Sequence, residues 1–130
     1  MVVCYTRLLC MIFAGSACAG AKEYYCTVKQ EVKLSEDGKV LEEKASPFVG
    51  KDFRISRETG VVTSAVRFAS FEKIRVLFPG SAEHSFVGLA EEIGPFPMVS
   101  LLEVHEFVSG VVQPFLWHIR GSVLYSGTCL

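Results

Sequence analysis

A handful of residues in this chain have the types needed for chemistry, and each group demands a particular geometry. Glu103, His105 and His118 offer metal-ligating donors, His84-Ser85 a base beside a hydroxyl, and Glu42-Glu43 and Glu91-Glu92 paired carboxylates. If Ser109-Gly110 is the turn of a hairpin, Val104 faces Phe115 and Leu102 faces Trp117. With Ile119 these form an apolar face, since cross-strand partners share one side of a sheet. Glu103, His105 and His118 then fall on the other side with Leu101 and Leu116. His118 is only a diagonal neighbour of Glu103 and His105 lies further along, whereas a metal needs convergent donors with their own supporting shell. The outer-face reading is the stronger one. Adjacent residues of a strand point apart, which separates His84 from Ser85 and each glutamate from its sequence partner. No GxxxxGK, GxGxxG, CxxC or HExxH occurs. The expectation is a non-enzyme with no catalytic, cofactor-binding or metal-ligating residues.

The remaining reactive residues are cysteines, and the first segment of the chain decides how they count. Arg7 is the only charge before Lys22, and Leu8–Ala14 is a short apolar run followed by small residues from Gly15 to Ala21. This is the pattern of a secretory signal peptide over residues 1–21, and the run is too short for a membrane span of about 20 apolar residues. Cleavage after Ala19 or Ala21 fits; a lipoprotein signal acylated at Cys18 is the competing reading. Removal of the leader takes Cys4, Cys10 and Cys18 with it and leaves Cys26 and Cys129, an even pair in an exported chain, which reads as one disulfide. The expected location is periplasmic or secreted. Residues 22–130 then form one β domain, slightly acidic because the whole chain already carries 14 Asp+Glu against 13 Lys+Arg. No basic stripe is present, so nucleic acid is excluded as a partner.

The elements that would position these residues are strands. Residues 24–34 alternate, with Tyr24, Cys26, Val28, Val32 and Leu34 on one side and Tyr25, Thr27, Lys29, Glu31 and Lys33 on the other. Asp37-Gly38 signals a hairpin, with Val40 and Leu41 in the return strand. Phe53 and Ile55 point inward, and Gly60 turns the chain into 61–64. Residues 65–72 read as a helical turn or an irregular crossing. Ile74, Val76 and Phe78 share an inward side, 85–90 form a further strand, and 101–107, 114–119 and 123–125 close the chain. The sum is an all-β fold, an antiparallel meander of about eight strands. A Cys26–Cys129 bridge makes its two ends neighbours, which favours a closed or nearly closed barrel; a two-layer sandwich is the alternative.

In their order, several short motifs resemble a family of small exported proteins of Gram-negative bacteria with uncharacterised function. They are Tyr25-Cys26; Phe53, Ile55, Arg57, Thr59 and Gly60; Gly80-Ser81 with Ser85-Phe86; Glu106-Phe107, Gly110 and Pro114-Phe115; and Tyr125-Ser126-Gly127-Thr128-Cys129. Ser56 and Pro79 depart from that pattern, which has an acidic and an aromatic residue there. The resemblance implies an envelope protein and no catalytic residues. A looser architectural likeness is to periplasmic inhibitors of c-type lysozyme. The expected function is a non-catalytic binding module, whose partner is an unknown protein. The alternatives are a carrier of a small hydrophobic ligand inside the barrel and a lysozyme-inhibitor-like protein. No stable membrane insertion is expected once the leader is gone.

Overall fold

The computed structural model describes residues 22–65, 73–81, 83–92, 94–95, 97–106, 112–120 and 122–130. The expected leader, the ambiguous stretch 66–72 and the Ser109-Gly110 turn lie outside them. The described residues hold nine strands and no helix: β1 (Glu23–Leu34), β2 (Val40–Glu42), β3 (Asp52–Ser56), β4 (Val62–Ser64), β5 (Arg75–Pro79), β6 (Phe86–Glu92), β7 (Met98–Val104), β8 (Gln113–Arg120) and β9 (Val123–Cys129). All pairings are antiparallel. The strands make one strongly curled sheet in the order β4-β3-β1-β9-β8-β7-β6-β5, with β2 also beside β1. It is a single curled sheet, so the sandwich alternative does not apply.

The meander holds from β5 to β9 and breaks at β2. β1 is long enough for two partners on one edge: β3 pairs with its first half and β2 with its end. Between them the backbone of Gly50 and Lys51 bonds to Val28, so the Pro47 connection carries the chain back along β1 rather than outward. On the other edge β1 pairs with β9, which makes the first and last strands neighbours. Cys26 faces Cys129 there with Cα atoms 4.0 Å apart, and the two are bridged. Tyr25 and Leu130 exchange both backbone hydrogen bonds. The next pair, Cys26 and Cys129, is therefore a non-hydrogen-bonded one, the position where antiparallel strands approach closest. The bridge closes a loop with a sequence separation of 103, which the chain-entropy account rates at about 4–5 kcal/mol at most.

The hairpin register follows the apolar pattern. Leu102 pairs with Trp117 and Val104 with Phe115, while Leu101 faces His118 and Glu103 faces Leu116. Leu102, Val104, Phe115, Trp117 and Ile119 are buried; Leu101 and Leu116 are exposed and Glu103, His105 and His118 only half-buried. The concave face of the sheet is filled by rings. Phe53 meets Phe115 edge-on at 5.3 Å and Trp117 at 4.8 Å, and Tyr24 meets Phe86 at 5.3 Å. Trp117 Nε1 donates to Ser100 Oγ at 2.9 Å, and that hydroxyl donates on to the His118 carbonyl, so the one polar atom of the indole is satisfied inside the core.

Two bulges overturn the simple alternation expected in β1 and β5. The β1–β9 register shifts between Val28 and Gln30. An extra residue in one strand reverses the facing of every residue beyond it. Past the bulge Glu31, expected on the outer side, turns inward and is 4 % exposed, while Leu34, expected on the inner side, is exposed. The β5–β6 register shifts between Val76 and Phe78, which throws Phe78 outward at 61 % exposure although Ile74 is buried as expected.

The sheet is an open half-barrel rather than a closed one, with β4 and β5 at its two ends, and the β3–β4 turn touches the chain just before β5. Gly60 has φ +72 and is buried; a Cβ on it would lie 1.9 Å from the Ile74 carbonyl oxygen. The same glycine accepts the Ile74 amide at 2.9 Å, and Val61 bridges to Lys73. Gly127 is needed for another reason: a Cβ there would strike the Thr27 carbonyl and the Phe115 ring, which packs across from it.

Candidate binding groove

The polar side chains that matter form three groups, two at the ends of the concave face and one outside it. At the first end, Tyr24 from β1, Arg57 from the β3–β4 turn and Glu106 beyond β7 converge. The Tyr24 hydroxyl donates to Glu106. Arg57 Nη2 lies 3.0 Å from Glu106 Oε1 and donates to the carbonyls of Pro79 and Gly80, with its cation 5.2 Å from the Tyr24 ring centre. Burial, then the bond to Glu106, holds the Tyr24 hydroxyl well above the usual phenol range. Every member has partners, and the cluster ties β1, the β3–β4 turn, β5 and the end of β7 into one closure. Its chemistry is that of a latch.

At the other end the β1 bulge places Glu31 opposite Tyr125. Ser46 donates to Glu31, and Lys33 Nζ lies 3.5 Å from its Oε1 and 3.1 Å from Glu43 Oε2. The Phe48 and Tyr125 rings meet at 5.6 Å. Burial, with the Glu31 charge second, pushes the Tyr125 hydroxyl up to about 12. Both buried carboxylates escape a sequence reading. Glu31 is moved inward by a bulge with no sequence signature, and Glu106 meets Tyr24 across a separation of 82 residues.

The third group lies on the convex side, where residues of opposite parity emerge. β3 places Arg54 across from Tyr25 and Asp52 across from Thr27, and β4 places Thr63 on the other side of Arg54. Arg54 Cζ sits over the Tyr25 ring at 5.2 Å. Tyr25 Oη donates to Asp52 Oδ2 at 3.3 Å and Thr27 Oγ1 to Asp52 Oδ1 at 2.6 Å. Ser64 Oγ donates to the Asp52 carbonyl at 2.8 Å. Tyr25, Lys51, Asp52, Arg54, Thr63 and Ser64, with Phe53 beneath them, line an open groove of about 470 Å³ between β1, β3 and the short strand β4. Its walls carry an aromatic ring and both signs of charge, and Tyr25 and Arg54 are of the types enriched where protein surfaces recognise partners.

Other candidates named from the sequence fall elsewhere. Glu103 and His118 are on the convex side of β7 and β8, with His105 just past β7; no three His, Cys, Asp or Glu among the described residues converge where an ion could be held. His84 lies in a turn in which the backbones of Ser81 and His84 bond to one another. Glu42 is at the end of β2, with Glu43 just beyond it bonded to Lys33, and Glu91 pairs with Arg75 at 3.5 Å. Among the described residues no helix is long and apolar enough to cross a membrane. Comparison of the chain with family models, curated proteins and solved structures finds no match to any of them.

Proposed function

We propose that this chain is an exported, non-catalytic binding module that recognises a partner protein on the convex side of its sheet, through the groove beside Tyr25 and Arg54. The observation that carries the reading is the ring packing on the concave face among the described residues. The Phe53 ring contacts those of Phe115 and Trp117 where a carrier would need an apolar cavity of some hundreds of Å³. Among the described residues the groove offers a concave, mixed-polarity surface for recognition. Export is supported by the apolar leader pattern of residues 1–21, by the Cys26–Cys129 bridge and by the resemblance to small envelope proteins. The two buried carboxylates support a non-catalytic role, because each is enclosed by partners that hold the fold together.

The test is affinity capture from bacterial envelope extract with the oxidised protein, combined with native mass spectrometry of the protein as purified. The expected result is saturable capture of a protein, competed by free chain, and a mass equal to that of the oxidised polypeptide alone. An apolar small molecule that co-purifies and leaves only on unfolding would replace this reading with that of a carrier.

A further inference from the structure

We propose that the groove is an anion site for an acidic segment of the partner protein, with Arg54 as the residue that pairs its carboxylates and Lys51 as the second cation. The inference deepens the binding-module reading and rests on it.

Two arginine–tyrosine pairs lie on opposite faces of the same strands. Tyr24 and Tyr25 are neighbours in β1 and point to opposite sides of the sheet. Each has an arginine over its ring at the same distance, 5.2 Å: Arg57 on the concave side and Arg54 on the convex side. The concave pair is complete, because Glu106 lies 3.0 Å from Arg57 Nη2. The convex pair has the cation and the ring, but Arg54 makes no ion pair among the described residues. The carboxylate nearest in the strand, that of Asp52, is already engaged by the hydroxyls of Tyr25 and Thr27. Those two bonds also fix the ring on which Arg54 rests. A guanidinium whose position is set by an aromatic platform loses less freedom on binding, and its N–H edge suits a carboxylate in bidentate geometry.

The charge and shape of the groove agree. Its charged side chains are Lys51, Asp52 and Arg54, two cations against one occupied carboxylate, on a chain whose net charge is −1. It is an open groove beside β4, the end strand of the sheet order, rather than an enclosed cavity, so it fits a length of chain better than a small molecule that must be mostly buried. Two cations are too few to track a nucleic-acid backbone, which needs a run of phosphate contacts.

The experiment is a titration of the isotope-labelled oxidised protein, monitored by NMR at backbone amides and arginine side-chain Nε–H groups. The probe is a short blocked peptide of alternating serine and glutamate, and the control is its serine–glutamine counterpart. The expected result is saturable shifts at Arg54 Nε–H and at the Thr63 and Ser64 amides with the glutamate peptide only. R54Q, an exposed change that leaves the core untouched, weakens binding at least tenfold, and K51Q weakens it severalfold. Equal binding by R54Q, equal shifts with the glutamine peptide, or shifts centred on the Lys33–Lys39 hairpin would overturn the assignment. The two readings fail separately. Capture of the same partner by wild type and R54Q alike removes the anion assignment and leaves the binding module standing, whereas failure of the module itself appears as no capture by wild type.

Discussion

Removing the Arg57 side chain tests whether the latch at Tyr24 and Glu106 holds the curled sheet. In Arg57→Met the aliphatic stem is kept and the charge is lost. Glu106, whose side chain is 9 % exposed, then keeps a buried charge with only the Tyr24 hydroxyl as partner. Breaking one side of a buried pair costs about 3–5 kcal/mol. Arg57 is itself 20 % exposed, so solvent already screens part of the pair, and the lower end, about 3 kcal/mol, is the expected loss. Tyr24→Phe removes one hydrogen bond to a charged group, about 1.5–3 kcal/mol, while Arg57 stays in place. In Arg57→Met/Glu106→Gln the stranded charge is gone, so the double variant should be less destabilised than the two single losses added together, by about 1–3 kcal/mol. Urea unfolding of the oxidised protein, read by the fluorescence of its single tryptophan, Trp117, measures every variant. With a slope of about 1–3 kcal/mol/M, Arg57→Met should lower the midpoint by roughly 1–3 M without changing the slope. A loss under about 0.5 kcal/mol, the range of an ordinary surface change, or strict additivity in the double variant, would refute the latch.

Three further outcomes are expected. Trp117→Ala removes the largest fully buried side chain and the hydrogen bond it donates to Ser100, costing about 3–5 kcal/mol, whereas Leu116→Ala, on the convex face of the same strand, should cost under about 1 kcal/mol in the same urea assay. Replacing both Cys26 and Cys129 by alanine should lower stability by up to about 4–5 kcal/mol, and reducing agent should then leave the variant's midpoint unchanged while it lowers that of wild type. The Tyr24 and Tyr125 hydroxyls are both held above the ordinary phenol value of 10.0 in the folded chain. Raised values mean the folded state keeps these protons longer. Their stabilisation is therefore full below about pH 10 and is lost as pH rises toward the folded values. Above that pH the unfolding free energy should fall, more steeply in wild type than in Tyr125→Phe, as chemical denaturation across the range would show.

The closing hairpin and the disulfide were legible because their signals are strong and local. Leu102, Val104, Phe115 and Trp117 set a register that a one-residue slip would turn inside out, and Cys26 and Cys129 are an even pair once the residues read as a leader are set aside. The bulges were not legible. Nothing in the residues around Lys29 or Leu77 marks an extra position, yet each bulge reverses the facing of the residues beyond it, moving Glu31 in and Phe78 out. The return of β3 to β1 was hidden for a related reason. Val40 and Leu41 do lie in the expected return strand, but at 69 % and 52 % exposure they cover only the end of β1 and leave its first half to β3. The groove drew no attention in sequence because Tyr25, Asp52, Arg54 and Thr63 are ordinary outward residues of three separate strands. Their meeting depends on β3 lying beside the first half of β1, and no pattern of period two encodes which strands will be neighbours.

The central claim, recognition at the convex groove by a chain with a filled interior, is tested most directly by photo-crosslinking in the intact envelope. A photo-reactive amino acid takes the place of Thr63 in the groove or, in a second variant, of Glu103 on the convex face of β7, away from it. Recognition at the groove predicts a discrete protein adduct from the Thr63 position, lost when R54Q is added, and none from the Glu103 position. An adduct from the Glu103 position with none from Thr63 would contradict it.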